Sequence, residues 1–237
     1  MELFLFALII LIASILQTST GFGFSILATP FLLLLFEPRQ AIQINLILSL
    51  AISIALIAKI QKDIDTAVLK RFIIGSLTGL PVGIVLFLLA NMTSMKLAIS
   101  VVILVLTVLL LLNFRIRQSH KRDTIAGWFS GSLTTSIGMP GPPLLLYFSG
   151  TDAKKEKLRG TTLAFYLFIY FVSLLIQVIF AGTDATVWKS SGRALPLVIV
   201  GLFLGQALFK RISQKLFRLF TYAILLFTGI YLLIDTM

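Results

Sequence analysis

The sequence contains no cysteine, a single histidine and only nine acidic residues among 237. Each scarcity removes a class of function. Without cysteine there are no disulfides, no thiolate metal ligands and no catalytic thiol, and the redox compartment is left open. Charged residues amount to 12% of the chain against 58% hydrophobic ones, and the mean hydropathy is +1.05. A globule of this length cannot hide so much apolar surface from water, so the solvent for most of the chain must be lipid. Also missing are Gly-x-Ser-x-Gly, His-Glu-x-x-His, a P-loop and any pair of aspartates inside an apolar run. The chain therefore reads as a non-enzyme with no catalytic residues, metal site or cofactor, and ATP-driven pumping by this chain alone is excluded. Proton coupling through a buried acid has no candidate either.

What charge there is sits between the apolar runs. All nine acids (Glu2, Glu37, Asp63, Asp65, Asp123, Asp152, Glu156, Asp184 and Asp235) and all 20 Lys and Arg fall at the ends of long apolar segments or between them. That is the layout of a polytopic membrane protein. In a soluble protein a net charge of +11 would suggest nucleic acid. Here the basic residues occupy short connectors, so the expected partner is the lipid bilayer and no nucleic acid is implied. The first apolar run, Leu3 to Leu16, lacks a basic region before it and a small-residue cleavage site after it. It reads as retained structure.

Apolar runs can be marked at 3–20, 22–36, 41–58, 72–90, 97–114, 124–137, 139–149, 160–181, 194–209 and 219–234. A spanning helix needs roughly 20 residues. The 139–149 run is too short to cross and 22–36 is marginal, and each follows a glycine break in an otherwise continuous stretch. The break occurs twice because the sequence repeats itself. Thr18-Ser19-Thr20-Gly21 is matched 117 positions later by Thr135-Ser136-Ile137-Gly138; at the same offset Leu27 meets Leu144, Phe31 meets Phe148 and Asn45 meets Thr162. Further on, Gly79-Leu80-Pro81-Val82-Gly83 is echoed by Gly201-Leu202-Phe203-Leu204-Gly205. An internal duplication joined near residue 118 is the economical reading, with one repeat over 1–118 and a second over 119–237.

Counting Lys and Arg orients the halves. Four clusters stand out: Lys59, Lys62, Lys70 and Arg71; Arg115, Arg117, Lys121 and Arg122; Lys154, Lys155, Lys157 and Arg159; Lys210, Arg211, Lys215 and Arg218. If each broken stretch were one simple span, alternation would divide the basic residues evenly between the two sides. If each is a hairpin returning to its starting side, the 16 clustered residues share one side and only Arg39, Lys96, Lys189 and Arg193 lie on the other. The positive-inside rule selects the hairpins. The expected fold is an all-α polytopic membrane protein of two inverted repeats, each a Gly/Pro-broken hairpin followed by three transmembrane helices. Both termini are expected outside.

Non-helical backbone at membrane depth is tolerated only where protein or a water-filled cavity covers it. Two inverted hairpin tips, with Gly21 and Gly138 facing each other, would make such a cavity. The arms after Gly21 and Gly138 would point helix N-terminal N–H groups into it, an anion site. Candidate substrate-binding residues are Gln17, Thr18, Ser19, Thr20, Gly21, Gly23, Ser25 and Asn45 from the first half, and Thr134, Thr135, Ser136, Gly138, Gly141, Thr161 and Thr162 from the second. Gln43 is a further neutral hydrogen-bonding group. Pro140, Pro142 and Pro143 suit a first helical turn. No expected span carries a charge near its middle, so the site would hold an oxyanion by dipoles and hydroxyls, loosely enough to release it. Gly79, Gly83, Gly201 and Gly205 read instead as helix contacts. The basic loop from Lys154 to Arg159 is a topology signal, with Arg159 as a possible guide for anions, and His120 has no expected role.

The stretch Thr20-Gly21-Phe22-Gly23-Phe24-Ser25, followed by Pro30, Ala41 and Asn45, and the stretch Gly138-Met139-Pro140-Gly141-Pro142-Pro143, followed by Lys157-Leu158-Arg159-Gly160-Thr161-Thr162, resemble the sulfite exporter TauE/SafE family, also called the toluenesulfonate uptake permease family. The resemblance covers nearly the whole chain. It implies transport of a small sulfur-containing anion, sulfite or a short organosulfonate, across the bacterial plasma membrane, with export the commoner direction. Phe24, Ser25 and Pro140 stand where the family often has glycine. The leading expectation is thus a secondary transporter of a small anionic substrate. Its competitors are a passive channel or facilitator for small anions on the same site, and a membrane assembly protein in which the tips merely pack.

Overall fold

The computed structural model describes residues 2–89, 91–112, 118–149, 151 and 154–211, together with Leu226, Ile230 and Ile234. Among the described residues all regular structure is helical: α1 (Glu2–Thr20), α2 (Phe24–Leu32), α3 (Pro38–Ile60) with a 3-10 turn after it (Gln61–Asp63), α4 (Thr66–Leu89), α5 (Met92–Leu111), α6 (His120–Ile137), α7 (Gly141–Ser149), α8 (Lys155–Ala181) and α9 (Ala185–Arg211). Five helices, over Leu3–Thr20, Pro38–Asp63, Thr66–Leu89, Lys155–Ala181 and Ala185–Phe209, are long and apolar enough to cross a membrane. The chain is a multi-pass membrane protein. Apart from three residues, the expected run at 219–234 lies outside the described residues, as do Arg115, Arg117, Lys215 and Arg218.

Several helices begin earlier than their apolar runs. Expected from 72 and 194, α4 and α9 start at Thr66 and Ala185. The reason is capping. Asp65 Oδ1 accepts from the N–H groups of Ala67 and Val68, both at 3.1 Å, and Asp184 Oδ1 accepts from that of Val187 at 3.0 Å. A cap sets where the backbone turns helical, whereas hydropathy marks only the part suited to hydrocarbon. In α3, Pro38 sits at the first position and Gln40 reaches back to the Glu37 N–H.

The two glycine breaks are real interruptions. Gly21, Gly23 and Gly138 have φ of 87°, 115° and 72°, a region closed to most side chains. At Gly138 the amides of Gly138 and Met139 bond back to Thr134 and Leu133 at 2.9 and 3.1 Å, ending α6 at a left-handed glycine whose N–H reaches the carbonyl four residues back, the αL cap. The arms that follow, α2 and α7, have nine residues each. At about 1.5 Å per residue each rises about 14 Å, half of a hydrocarbon core of about 30 Å. The first arm, marginal by sequence, is as short as the second.

Packing brings helices distant in the chain together. Helices α3 and α8 pack on each other, α9 lies on α1 and α3, and α4 lies on α6 and α8. The glycine pairs make the close approaches, as expected of helix contacts. A Cβ on Gly79 would overlap the Trp128 carbonyl oxygen of α6, and one on Gly205 would stand 2.6 Å from Thr18 Cβ of α1. Polarity is distributed inside out. Gln17, Asn45, Thr162 and Gln177 are buried completely, while Leu89, Phe203 and Ile179 lie open on the outside, where lipid is the matching solvent.

Candidate functional site

Each glycine break is seated on a long helix distant in the chain. A Cβ on Gly21 would lie 2.9 Å from Arg159 Cα in α8, and one on Gly138 would lie 2.9 Å from Asn45 Nδ2 and 3.2 Å from Ile42 Cγ2 in α3. The Gly138 carbonyl accepts from Asn45 Nδ2 at 2.7 Å, and the Thr18 carbonyl from Arg159 Nε at 2.8 Å. These contacts place the tips against α3 and α8. The hairpins themselves meet through the first turns of their return arms, where a Cβ on Gly141 would stand 3.2 Å from Ile26 Cδ1 and 3.0 Å from Tyr166 Oη.

The hydroxyls of the tips divide into two groups. Ser19 donates to the Leu16 carbonyl at 3.1 Å; Thr20 Oγ1 lies 2.7 Å from the same oxygen, close to the Phe22 carbonyl and 3.1 Å from the Phe22 N–H. Thr134 and Ser136 donate to the carbonyls of Ser130 and Ser132 at 2.5 and 2.7 Å. Thr135 Oγ1 lies 3.2 Å from the Gly131 carbonyl and 2.9 Å from Ser173 Oγ. This group is occupied by its own turns or neighbours. Gln17 Oε1, Thr18 Oγ1, Asn45 Oδ1 and Thr162 Oγ1 are buried with no partner. Gly23 precedes α2 as its N-cap and Gly141 is the first residue of α7. Tyr170 donates to Ser25 at the long distance of 3.5 Å. Thr161 stands apart: its Oγ1 accepts from the Asp65 N–H at 2.9 Å at the start of α8. Gln43 is also elsewhere, donating to the Gly182 carbonyl at 2.8 Å.

Two tyrosines that the sequence pattern does not single out adjoin Ser25 and Gly141. Tyr166 and Tyr170 lie one turn apart on α8 with ring centroids 4.9 Å apart, both fully buried, and the Tyr166 hydroxyl has no partner. Their one visible signal was a pair of hydroxyl-bearing rings at helical spacing inside a lipid-length apolar run. A buried polar group left unpaired costs about 1–3 kcal/mol. Several such groups on or beside the segments that carry the glycine breaks need a reason, and a polar ligand supplies one.

The electrostatics of this region favour an anion. In α2 the first i to i−4 bond runs from Leu27 to Gly23 at 3.0 Å, so the N–H groups of Phe24, Ser25 and Ile26 precede the helical ladder. In α7, Pro142 and Pro143 carry no N–H, so α2 brings the richer set of donors. Each N-terminus resembles about half a positive charge. Arg159, read from the sequence as part of a basic loop, is instead inside α8, 9% exposed. Its guanidinium lies 4.4 Å from the Phe209 ring centroid. A fixed cation therefore borders the first tip, where dipoles and hydroxyls alone were expected.

A second correction concerns acids. Asp123, in the first turn of α6, is fully buried. It accepts from Arg71 Nε and from the Tyr147 hydroxyl, both at 2.5 Å. Hydropathy reads the fourth residue of an N-terminally polar helix as exposed; the facing Arg71, 52 positions away, is what allows its burial. Beside it lies a cavity of about 250 Å³ lined by Asp65, Val68, Gln118, Tyr147, Phe148, Thr151, Lys157 and Thr161.

Across this cavity Lys157 Nζ meets Asp65 Oδ2 at 2.8 Å. The hydrogen bond from Lys157 holds the Asp65 carboxyl below its ordinary value, aided by the N–H groups of Val68 and Ala67 and opposed by burial. A carboxylate depressed in the folded state contributes stability above its unfolded pKa and loses it as pH falls through the folded one. Acidification below about pH 4, the ordinary Asp range, is expected to lower the thermal midpoint of the wild type, and Lys157→Gln should flatten that decline. Thermal unfolding from pH 6 downward checks this; an unchanged slope in the variant would show that Lys157 does not set it.

A family model described as Sulfite exporter TauE/SafE matches residues 6–232. No curated protein and no solved structure matches the chain.

Proposed function

The chain belongs to the sulfite exporter TauE/SafE family of membrane transporters, and we propose that it is a secondary carrier exporting sulfite or a short organosulfonate, bound between the first turns of α2 and α7. The observation that carries the site is the unpartnered, buried Tyr166 hydroxyl beside Gly141. A hydroxyl can donate to an oxyanion there together with the α2 amides, and Arg159 adds positive charge at the adjoining tip. The unpaired oxygens of Gln17 and Asn45 can accept only, which suits a protonated anion or a retained water.

In this reading the halves 1–118 and 119–237 are inverted repeats in the plasma membrane, both termini outside and the clustered basic residues in the cytoplasm. The 117-residue offset supports it, as does the reciprocal packing of α1 with α9 and of α4 with α6. Alternating access then moves one half against the other around the shared site.

Proteoliposome flux with sulfite, sulfate, sulfoacetate, taurine and carboxylates tests the proposal. Saturable flux of sulfite or a sulfonate, accelerated by the same anion on the far side, is expected. Linear, unsaturable flux would indicate a channel, and no anion-dependent flux with protein intact would overturn the transport reading.

A further inference from the structure

The two long helices α3 and α8 begin with matched contacts that differ in charge. Gln40 is the third residue of α3 and Lys157 the third of α8, separated by the same 117 positions as Gly21 and Gly138. Gln40 Nε2 donates to Asp184 Oδ2 at 2.7 Å, while Asp184 Oδ1 caps α9. Lys157 Nζ donates to Asp65 Oδ2 at 2.8 Å, while Asp65 Oδ1 caps α4. A second bond accompanies each: Gln43 to the Gly182 carbonyl at 2.8 Å, and the Asp65 N–H to Thr161 at 2.9 Å. The start of each long helix thus holds the loop that follows the other.

We infer that Gln40–Asp184 and Lys157–Asp65 are the two end latches of the transport cycle, and that the ionic latch biases the unloaded carrier toward closure at the Lys157 end. The inference rests on the carrier reading above. A carrier must not open at both ends together, and loops held reciprocally by two helices that pack on each other can release at one end while the other tightens. An ammonium–carboxylate bond is stronger than an amide–carboxylate one. Because Lys157 and Asp65 are 55% and 22% exposed, solvent limits the difference to a few-fold.

The absence of native cysteine supplies the background for the test. Val68 and Val187, each three residues past its latch aspartate, are 3% and 1% exposed and serve as reporters through Val68→Cys and Val187→Cys. The protein is held in nanodiscs, both faces accessible and no substrate present, and labelled with a membrane-impermeant maleimide. Lys157→Gln is expected to raise labelling at position 68 up to about threefold and to lower it at 187 by a smaller factor, because the two openings share one population. Gln40→Glu, which sets a second carboxylate against Asp184 and keeps the acceptor for the Glu37 N–H, should do the reverse. Raising salt from about 0.05 to 0.5 M should mimic Lys157→Gln and have no further effect on that variant. Reporters that rise together, or do not respond, would overturn the latches. Flux measured separately distinguishes the two claims: reciprocal labelling without flux overturns the carrier reading and leaves the latches, and flux without reciprocity does the opposite.

Discussion

Tyr166→Phe is expected to lower anion flux at least about tenfold and to raise thermal stability at the same time. The substitution keeps the buried ring and its contact with Tyr170 and removes only a hydroxyl that has no protein partner. In the unloaded protein that hydroxyl is a desolvated group without compensation, so its loss relieves a cost. In the loaded protein it donates to a charged oxygen, and a hydrogen bond to a charged group is worth about 1.5–3 kcal/mol, or roughly ten- to a hundredfold in affinity. A hydroxyl that only packed would predict the stability gain with flux unchanged. Gly141→Ala approaches the same point from the other side, since its methyl would enter the space 3.0 Å from Tyr166 Oη and 3.2 Å from Ile26 Cδ1. Flux and melting temperature measured on both variants in one membrane preparation decide the matter.

Gly79→Val and Gly205→Val are each expected to prevent accumulation of folded protein, at a cost of about 3 kcal/mol or more. At Gly79 the added Cβ meets the Trp128 carbonyl, and at Gly205 it meets Thr18 Cβ at 2.6 Å and the Ile15 carbonyl at 2.8 Å. Backbone on a packed helix cannot move aside as a flexible side chain can. Gly192 lies on the same helix as Gly205 with nothing within 4 Å of its added Cβ, so Gly192→Val should accumulate normally, helped slightly by the better helix propensity of valine. Yield and monodispersity in detergent report the outcome; equal loss from all three would point to a defect of insertion rather than of packing.

The parts of the fold legible in the sequence were those written in local chemistry. Gly21 and Gly138 announce their breaks because few other residues tolerate a positive φ, and the shortness of the run after Gly138 marked a return arm that cannot cross. The spacing of Gly79 with Gly83 and of Gly201 with Gly205 identified helix contacts, and the structure gives their partners, α6 and α1. What stayed hidden depends on residues distant in the chain. Thr134 and Ser136 looked as available for a ligand as Thr18, but they donate to their own helix, and sequence does not distinguish these uses of a hydroxyl. Asp123 was only a charge at the end of an apolar run, with nothing local to mark its burial, because Arg71 and Tyr147 reach it only after α4, α6 and α7 pack. Tyr166 was one ring among many in an apolar run until the crossing of α8 with the hairpins placed its hydroxyl beside Gly141.

The most direct measurement of the central claim is an experimental structure of the wild-type protein with selenite in place of sulfite, the anion located by the anomalous signal of selenium. A peak is expected between the first turns of α2 and α7, within hydrogen-bonding reach of Tyr166 Oη and the N–H groups of Phe24 to Ile26. A peak confined to the Lys157 and Tyr147 cavity, with that position empty, would contradict the claim.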